Sequence, residues 1–306
     1  MAERPPPEVV QLAEARASAR STRDFALADQ LRNRIADAGW SVVDEPGGWR
    51  LEPAAPVEPV VVRVAAAEVG SVLEDPATCD ASLHWVCEGW PDDIERAVEG
   101  FRRFAADRDL QFVVADVTGE DPARWGDGVE VLSLQEGTGW AAARNAGLRR
   151  SRGRLVLALD GSIEPTGDVV GPLDAALADT AVGLAGPYGI VTTDLREFDA
   201  SPDPGPCDAI EGYLMAFRRE VLVQAGPFDE KFRWYRTADI EWSFRVKDRG
   251  YRCEVVPVPV DKHEHRMWFQ TPPEERAKWS KRNFYRFLDR WRDRWDLVLS
   301  GEPDDR

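Results

Sequence analysis

Between residues 81 and 160 the chain alternates nearly all-apolar runs, SLHWVCE, LQFVVAD, VEVLSL and RLVLALD, with helically spaced stretches, PDDIERAVEGFRRFAAD and GWAAARNAGLRRS. That alternation leaves few architectures open. A strand that is apolar at successive positions has no face for water, so both faces must be covered. Strands joined through helices run parallel. The expectation is an α/β fold, a mostly parallel sheet flanked by helices. In the first helical stretch Ile94, Val98, Phe101 and Phe104 share one face. Such sheets take their ligands beyond the carboxyl ends of the strands. Three of the runs end on an acid, Glu88, Asp116 and Asp160.

The first fifty residues follow a different pattern. In FALADQLRNRIADAG, Phe25, Ala28, Leu31 and Ile35 fall on one helical face, Ser21 or Thr22 stands where a cap belongs, and Gly39 suits the stop. Trp40–Val43 and Trp49–Leu51 then flank Glu45-Pro46-Gly47-Gly48 as a hairpin. Residues 1–53 are therefore expected to form a small unit of two helices and a hairpin. Proline-rich LEPAAPVEPV reads as a linker, and VVRVAAAEVGSVLED as a short strand and helix, together filling residues 54–80. Residues 81–270 form the main domain, and 271–306 a charged, aromatic helix that packs back on it.

With 43% hydrophobic and 31% charged residues the chain has material for a sizeable core under a solvated surface. The formal net charge of −16 repels polyphosphates at long range and argues against nucleic acid as a partner. Cys79, Cys87, Cys207 and Cys253 lie far apart without CxxC spacing, against a disulfide framework or a structural zinc. The start, MAERPPPEVV, is not a charged-then-apolar signal, and no later run is long and apolar enough to span a bilayer. The expected compartment is the cytoplasm.

Several short motifs then occur in one order: VVADVTG, GWAAARNAGL, LVLALDGS, GYLMAFRREVLVQAGPFDEKF, ADIEWSFRVKDRGYR and the histidines after VPVPV. Over residues 81–270 this order resembles the family 2 glycosyltransferases of the GT-A fold. ARASARSTRDFALADQLRNRIADAGWSVVDEPGGWRLEP resembles the C-terminal helical segment of cysteinyl-tRNA synthetases. It interleaves arginines with acids and makes no basic stripe, so its expected use is to dock or dimerise the chain rather than to bind tRNA.

The first resemblance implies displacement of a nucleoside diphosphate from a sugar's anomeric carbon by an acceptor hydroxyl. That reaction has three needs: a grip on the nucleotide, stabilisation of the diphosphate, and a base. For the grip the resemblance implies Asp116, with Glu88 and the Arg144-Asn145 pair of the family's ARN element as further donor contacts. Each has a plainer alternative: a turn-capping acid for Asp116 and Glu88, a surface arginine for Arg144. Asp160 matches the first acid of the family's Asp-x-Asp, for ribose or a metal such as Mn or Mg, but Ser162 replaces the second and weakens the metal site. Glu164 is close by, in what Pro165 and Gly167 suggest is a turn. His263 and His265, two apart on an extended segment, share a face and imply a metal ligand or, with Lys262 and Arg266, a diphosphate clamp. The family's Glu-Asp pair reads Ala238-Asp239 here, leaving Asp239 as the base of an inverting enzyme, or as an acid favoured by a helix start. FDASPDPGPCDAIEG reads as a loop over donor or acceptor. Three readings stay open: a transferase, a scaffold that has lost transfer, and an RNA-associated protein. A homo-oligomer through the N-terminal unit or the C-terminal helix is compatible with each.

Overall fold

A computed structural model describes residues 4–54, 61–201 and 203–301. The chain divides into two compact units, Met1–Val60 and Val61–Arg306. In the first, α1 (Pro7–Ser21) and α2 (Phe25–Asp37) are followed by an antiparallel hairpin, β1 (Trp40–Glu45) and β2 (Gly48–Pro53). Val9, Ala13, Ile35 and Trp40 form its core. Asp24, not Ser21 or Thr22, caps α2 by accepting a hydrogen bond from the Leu27 amide, and Phe25 is exposed, because the helix begins there and turns its first residue outward. Buried Arg16 makes a bidentate pair with Asp44 at 2.9 and 3.0 Å, which holds that carboxyl down at about 2. Within the proline-rich stretch, residues 51–53 complete β2, and residues 55–60 lie outside the described residues.

The second unit opens with a single bridge, Val64 to Leu134, and one 3-10 turn at Ala66–Glu68, less regular than the strand and helix expected. Then follow β3 (Cys79–Cys87), α3 (Pro91–Arg103), β4 (Leu110–Asp116), β5 (Val129–Ser133), α4 (Trp140–Leu148), β6 (Gly153–Leu159), β7 (Ile163–Pro165), α5 (Val170–Leu177) and β8 (Val182–Gly186). Residues 189–210 hold four short strands, β9 (Gly189–Val191), β10 (Asp199–Ala200), β11 (Gly205–Cys207) and β12 (Ala209–Ile210), the last three within the stretch 198–212 expected as a loop. They are two or three residues long, below the length at which an apolar alternation is readable. The chain ends with β13 (Leu214–Arg218), α6 (Arg219–Ala225), α7 (Ala238–Lys247), β14 (Arg252–Val255), β15 (Val260–Lys262), α8 (Arg266–Gln270) and α9 (Pro273–Trp291).

An eight-stranded sheet runs in the order β11-β14-β8-β13-β6-β3-β4-β5. The strands β6, β3, β4 and β5 are mutually parallel, and β13 is inserted antiparallel between β6 and β8. The fold is α/β with a mixed, mostly parallel sheet. Side-chain alternation divides β6 between two cores: Leu155, Leu157 and Leu159 pack with α3 and α5, while Val156 and Ala158 pack with α4, α6 and α7. Both faces are thus covered, as the apolar runs require. No helix among the described residues is long and apolar enough to cross a membrane.

The C-terminal α9 buries Phe287 and Trp291 against Phe244 of α7. Its Asn283 donates to the carbonyls of Trp234 (2.9 Å) and Arg236 (2.8 Å), fixing the segment that leads into α7. Phe287→Ala is expected to cost about 3–5 kcal/mol through the cavity it leaves. A lowered urea midpoint with an unchanged far-ultraviolet spectrum is the result that checks it.

Candidate active site

The carboxyl ends of β3, β4 and β6 lie side by side and bring Glu88, Asp116 and Asp160 to one edge of the sheet. Across that edge runs the segment leading into β13, whose Tyr213 carbonyl accepts from the Asp160 amide at 3.0 Å. The chain after β15 is delivered by its antiparallel pairing with β7, which continues as a 2.8 Å bond from the His263 amide to the Ser162 carbonyl. This register sets His265 Nε2 3.2 Å from Asp160 Oδ2. The other oxygen, Oδ1, accepts from the Ser162 amide (2.8 Å) and hydroxyl (2.5 Å). Burial pushes the Asp160 carboxyl up, but the bonds from His265 and Ser162 outweigh it and hold the group below its ordinary value.

Glu88 lies in different surroundings. Its Oε2 is buried without a hydrogen-bond partner, and burial, against the opposing charge of Arg144, pushes the carboxyl up to about 8. The two neighbouring acids are therefore pushed in opposite directions, Glu88 toward its neutral form and Asp160 toward its ionised form. Glu88, Asp160, Ser162 and His265 line a small cavity of about 40 Å³. Trp90, at its rim, adopts a left-handed backbone (φ 53°), a conformation that costs a non-glycine residue about 1–2 kcal/mol.

His265 also lines a large cavity of about 1230 Å³, shared with Asp239, Glu211, Tyr213, Tyr235 and Lys262. Asp239 stands in the first turn of α7, after a second left-handed residue, Thr237 (φ 70°). Its Oδ2 accepts from the Gly212 amide at 2.8 Å and its Oδ1 from the Ile240 amide at 2.9 Å. Burial raises this carboxyl; the two amides lower it, nearby Glu211 raises it further, and the net direction is up. Lys262 lies over the Tyr213 ring at 3.5 Å from its centre.

Of the remaining expected residues, His263 lines the large cavity and the others sit elsewhere. Arg144 is buried beneath the strand ends, donating to the carbonyls of His84 (2.7 Å) and Leu159 (2.8 Å). Burial lowers it to about 10, against the charges of Asp160 and Glu88. Asn145 exchanges hydrogen bonds with the backbone of Phe228 at 2.9 Å each, tying α4 to the loop before α7, and lines neither cavity. Asp116 is fully buried and its oxygens are engaged by Thr118 and by the Gly119 amide, which caps the turn after β4. His263 bonds Glu164 at 2.8 Å and lines the large cavity beside His265, but only His265 reaches Asp160, because β15 ends at Lys262 and His265 already caps α8. Glu164 lies in β7 rather than in a turn and also pairs with Arg96. Glu211, Tyr213, Tyr235 and Trp90 do not stand out in the sequence. The only signal is their position beside GYLM, ADIEW and the first strand end.

Among the described residues no group of three or more histidines, cysteines or acids is placed to hold a metal. The Asp160 and His265 atoms are nevertheless spaced as two adjacent ligands of one ion would be: bonds of about 2.1 Å at right angles put donors about 3 Å apart. The residues fit a cation held by two protein ligands, its other positions left to substrate and water.

Residues 114–222 match the family described as Glycosyl transferase family 2. Over 49 residues, 16% of this chain, it is 55% identical to a cysteine–tRNA ligase of Opitutus terrae, of which it spans 11%. The fold resembles GalNAc-T7 solved with UDP, GalNAc and Mn2+, at a TM-score of 0.57 and 17% identity, covering 70% of this chain and 49% of that one. A mannosyltransferase of Pyrobaculum calidifontis, PcManGT, solved with GDP-Man and Mn2+, aligns at a TM-score of 0.48 and 18% identity over 85% of this chain and 70% of that one. The chain thus spans about half of the first of these structures and about a tenth of the ligase.

Removing the buried cation tests how the strand ends are held. Arg144→Met leaves two buried carbonyls unpaired and ionised Asp160 without this counter-charge, an expected loss of about 3–5 kcal/mol, read as a fall in Tm. The sheet architecture is thus GT-A-like, and within it residues 114–222 carry the match to glycosyl transferase family 2.

Proposed function

We propose that the protein transfers a sugar from a nucleoside-diphosphate sugar to a hydroxyl acceptor with inversion at the anomeric carbon, Asp239 acting as the base. The observation that carries this is a buried carboxylate raised above its ordinary value, facing a cavity large enough for an acceptor. Across His265 lies a second, acid-lined cavity. A base works best when its pKa approaches the working pH, and burial moves Asp239 that way. The acceptor O–H gives its proton to Asp239 as its oxygen bonds to the anomeric carbon. The carbon–phosphate-oxygen bond breaks, and the nucleoside diphosphate leaves with the electron pair.

On this reading Glu88 and Asp160 contact the donor, Glu88 as a neutral carboxyl that donates a hydrogen bond and Asp160 as an ionised acceptor. Asp116, Arg144 and Asn145 serve the donor by holding the strand ends and α4 in place. Asp160 and His265 would hold a Mn or Mg ion, which would spread the charge of the departing diphosphate. His263, bonded to Glu164, orients the segment that carries His265. Lys262 and Arg236 add positive charge at the large cavity.

A scaffold that binds donor without transfer is favoured by one observation: Ser162 and Ala238 stand where the family has acids. Calorimetric titration with UDP, GDP and dTDP, with and without manganese, separates the readings. One nucleotide bound more tightly with manganese supports the Asp160–His265 pair. Metal-independent binding points to the basic residues, and no binding of any nucleotide overturns the proposal.

Asp239→Asn is expected to lower transfer about a hundred- to ten-thousand-fold while nucleotide binding stays. In the parent protein the rate should fall on acidification through a pKa above the ordinary aspartate value of 3.8, since the base must be ionised. The stability sign is opposite. A carboxyl raised on folding stabilises the protein when protonated, and that contribution is lost as pH rises through its folded pKa. The parent protein should therefore lose this contribution to stability as pH rises through that value, read as Tm against pH.

A further inference from the structure

Acids outnumber lysines and arginines 55 to 39 in this chain, yet the segment 276–286 of α9 holds five cations, Arg276, Lys278, Lys281, Arg282 and Arg286, and no acid. The acids of α9 lie at its ends, Glu274 and Glu275 in the first turn and Asp289 near the last, where it pairs with Arg292. Arg276 stacks on Trp268 (4.6 Å), Lys278 and Arg282 on Trp279 (5.5 and 5.6 Å), and Arg286 donates to the Lys231 carbonyl. Among the described residues none of the five pairs with a carboxylate, whereas arginines elsewhere in this unit, such as 108, 124, 150, 154 and 252, do.

Helical geometry concentrates this charge. Asn283, Phe287 and Trp291 form the buried stripe of α9, and Lys278, Lys281, Arg282 and Tyr285, at spacings of three, four and seven, lie on the opposite side. Tyr285 is 54% exposed and Phe269 of α8 62% exposed, and both line the rim of the large cavity together with Lys281. Cations and solvent-exposed aromatics therefore adjoin the opening through which an acceptor would reach Asp239.

We propose that this face of α9, with Phe269, docks on a bilayer of anionic phospholipid. Lysine and arginine near such a surface are attracted to its headgroups, and aromatic rings settle at the boundary between headgroup and acyl chain. The cationic stretch spans about 16 Å, with acids at both ends, a compact patch rather than the long track a nucleic-acid backbone would follow. The excess acid of the remaining chain repels the same lipids and leaves this face as the one that approaches. On the transferase reading, which the docking itself does not need, the large cavity then opens toward acceptors carried on that surface.

The test is flotation of the full chain with vesicles of phosphatidylcholine alone and of phosphatidylcholine mixed with phosphatidylglycerol. Binding to the mixed vesicles only, released by salt, is expected. Lys278→Gln and Arg282→Gln, neither lining a cavity, should each weaken it about fivefold and together about twenty-five-fold. Their circular dichroism should match the parent. No binding, equal binding to both vesicles, or binding untouched by the double variant overturns the proposal. So does a vesicle-negative protein whose α9 charges instead govern binding of a single-stranded RNA probe or self-association in sedimentation velocity. Nucleotide titration of the same preparation reads the transferase assignment separately: a chain that binds vesicles but no nucleotide keeps the docking and loses the proposed function.

Discussion

The guanidinium of Arg144 is the interaction on which the acid-bearing edge of the sheet depends. It lies inside the protein, reaches the carbonyls of His84 in β3 and Leu159 in β6, and so ties α4 to two neighbouring strands just below their ends. Desolvating a guanidinium is expensive unless its donors and its charge are both matched. Here two carbonyls take two of the donors, the Nε–H stays without a partner, and Asp160 supplies the opposite charge. The dependence is mutual: without the cation, ionised Asp160 would lose a counter-charge at a low-dielectric strand edge, and without that acid the cation would be stranded.

Upon that base the site divides its carboxylates by environment. Asp160 receives hydrogen bonds on both oxygens and stays ionised, whereas Glu88 keeps an unpartnered oxygen and is pushed toward the neutral form. Asp239 is held by two amides yet raised by burial. The left-handed residues Trp90 and Thr237 sit close to Glu88 and Asp239 in the chain, each two residues away. Strain of that kind persists where surrounding contacts over-determine the backbone. For Thr237 the contacts are visible: Asn283 of α9 holds the carbonyls of Trp234 and Arg236. The C-terminal helix, remote from the central strands in sequence, thereby positions the acid proposed as base.

The sheet and its covering helices are legible in the sequence, because continuous apolar runs such as RLVLALD allow only a doubly covered strand, and the acids that end them mark a ligand-binding edge. Asp160 and Asp239 are legible in the same way, as single acids in a recognisable order of motifs. The partners of those acids are not. His263 and His265 look alike in sequence, but only His265 reaches Asp160, because β15 stops and α8 begins between them. Asp116 and Asn145 carry the residue types of a binding site and are occupied with capping a turn and anchoring a loop. The short strands β9, β10 and β12 arise from pairing with one another, which no window of two or three residues announces.

By itself, then, the sequence determined the layers of the fold, the acids at three strand ends, and the reversal of charge along α9, since these follow from periodicity and composition within a single segment. Tertiary structure alone decided which side chains meet: that Arg144 goes beneath the strand ends, that His265 and not His263 faces Asp160, and that the cations of α9 border the cavity of Asp239. Those are contacts between segments far apart in the chain. They are set by strand register, by the end points of helices and by the burial of one face of each element, none of which is written at the positions themselves.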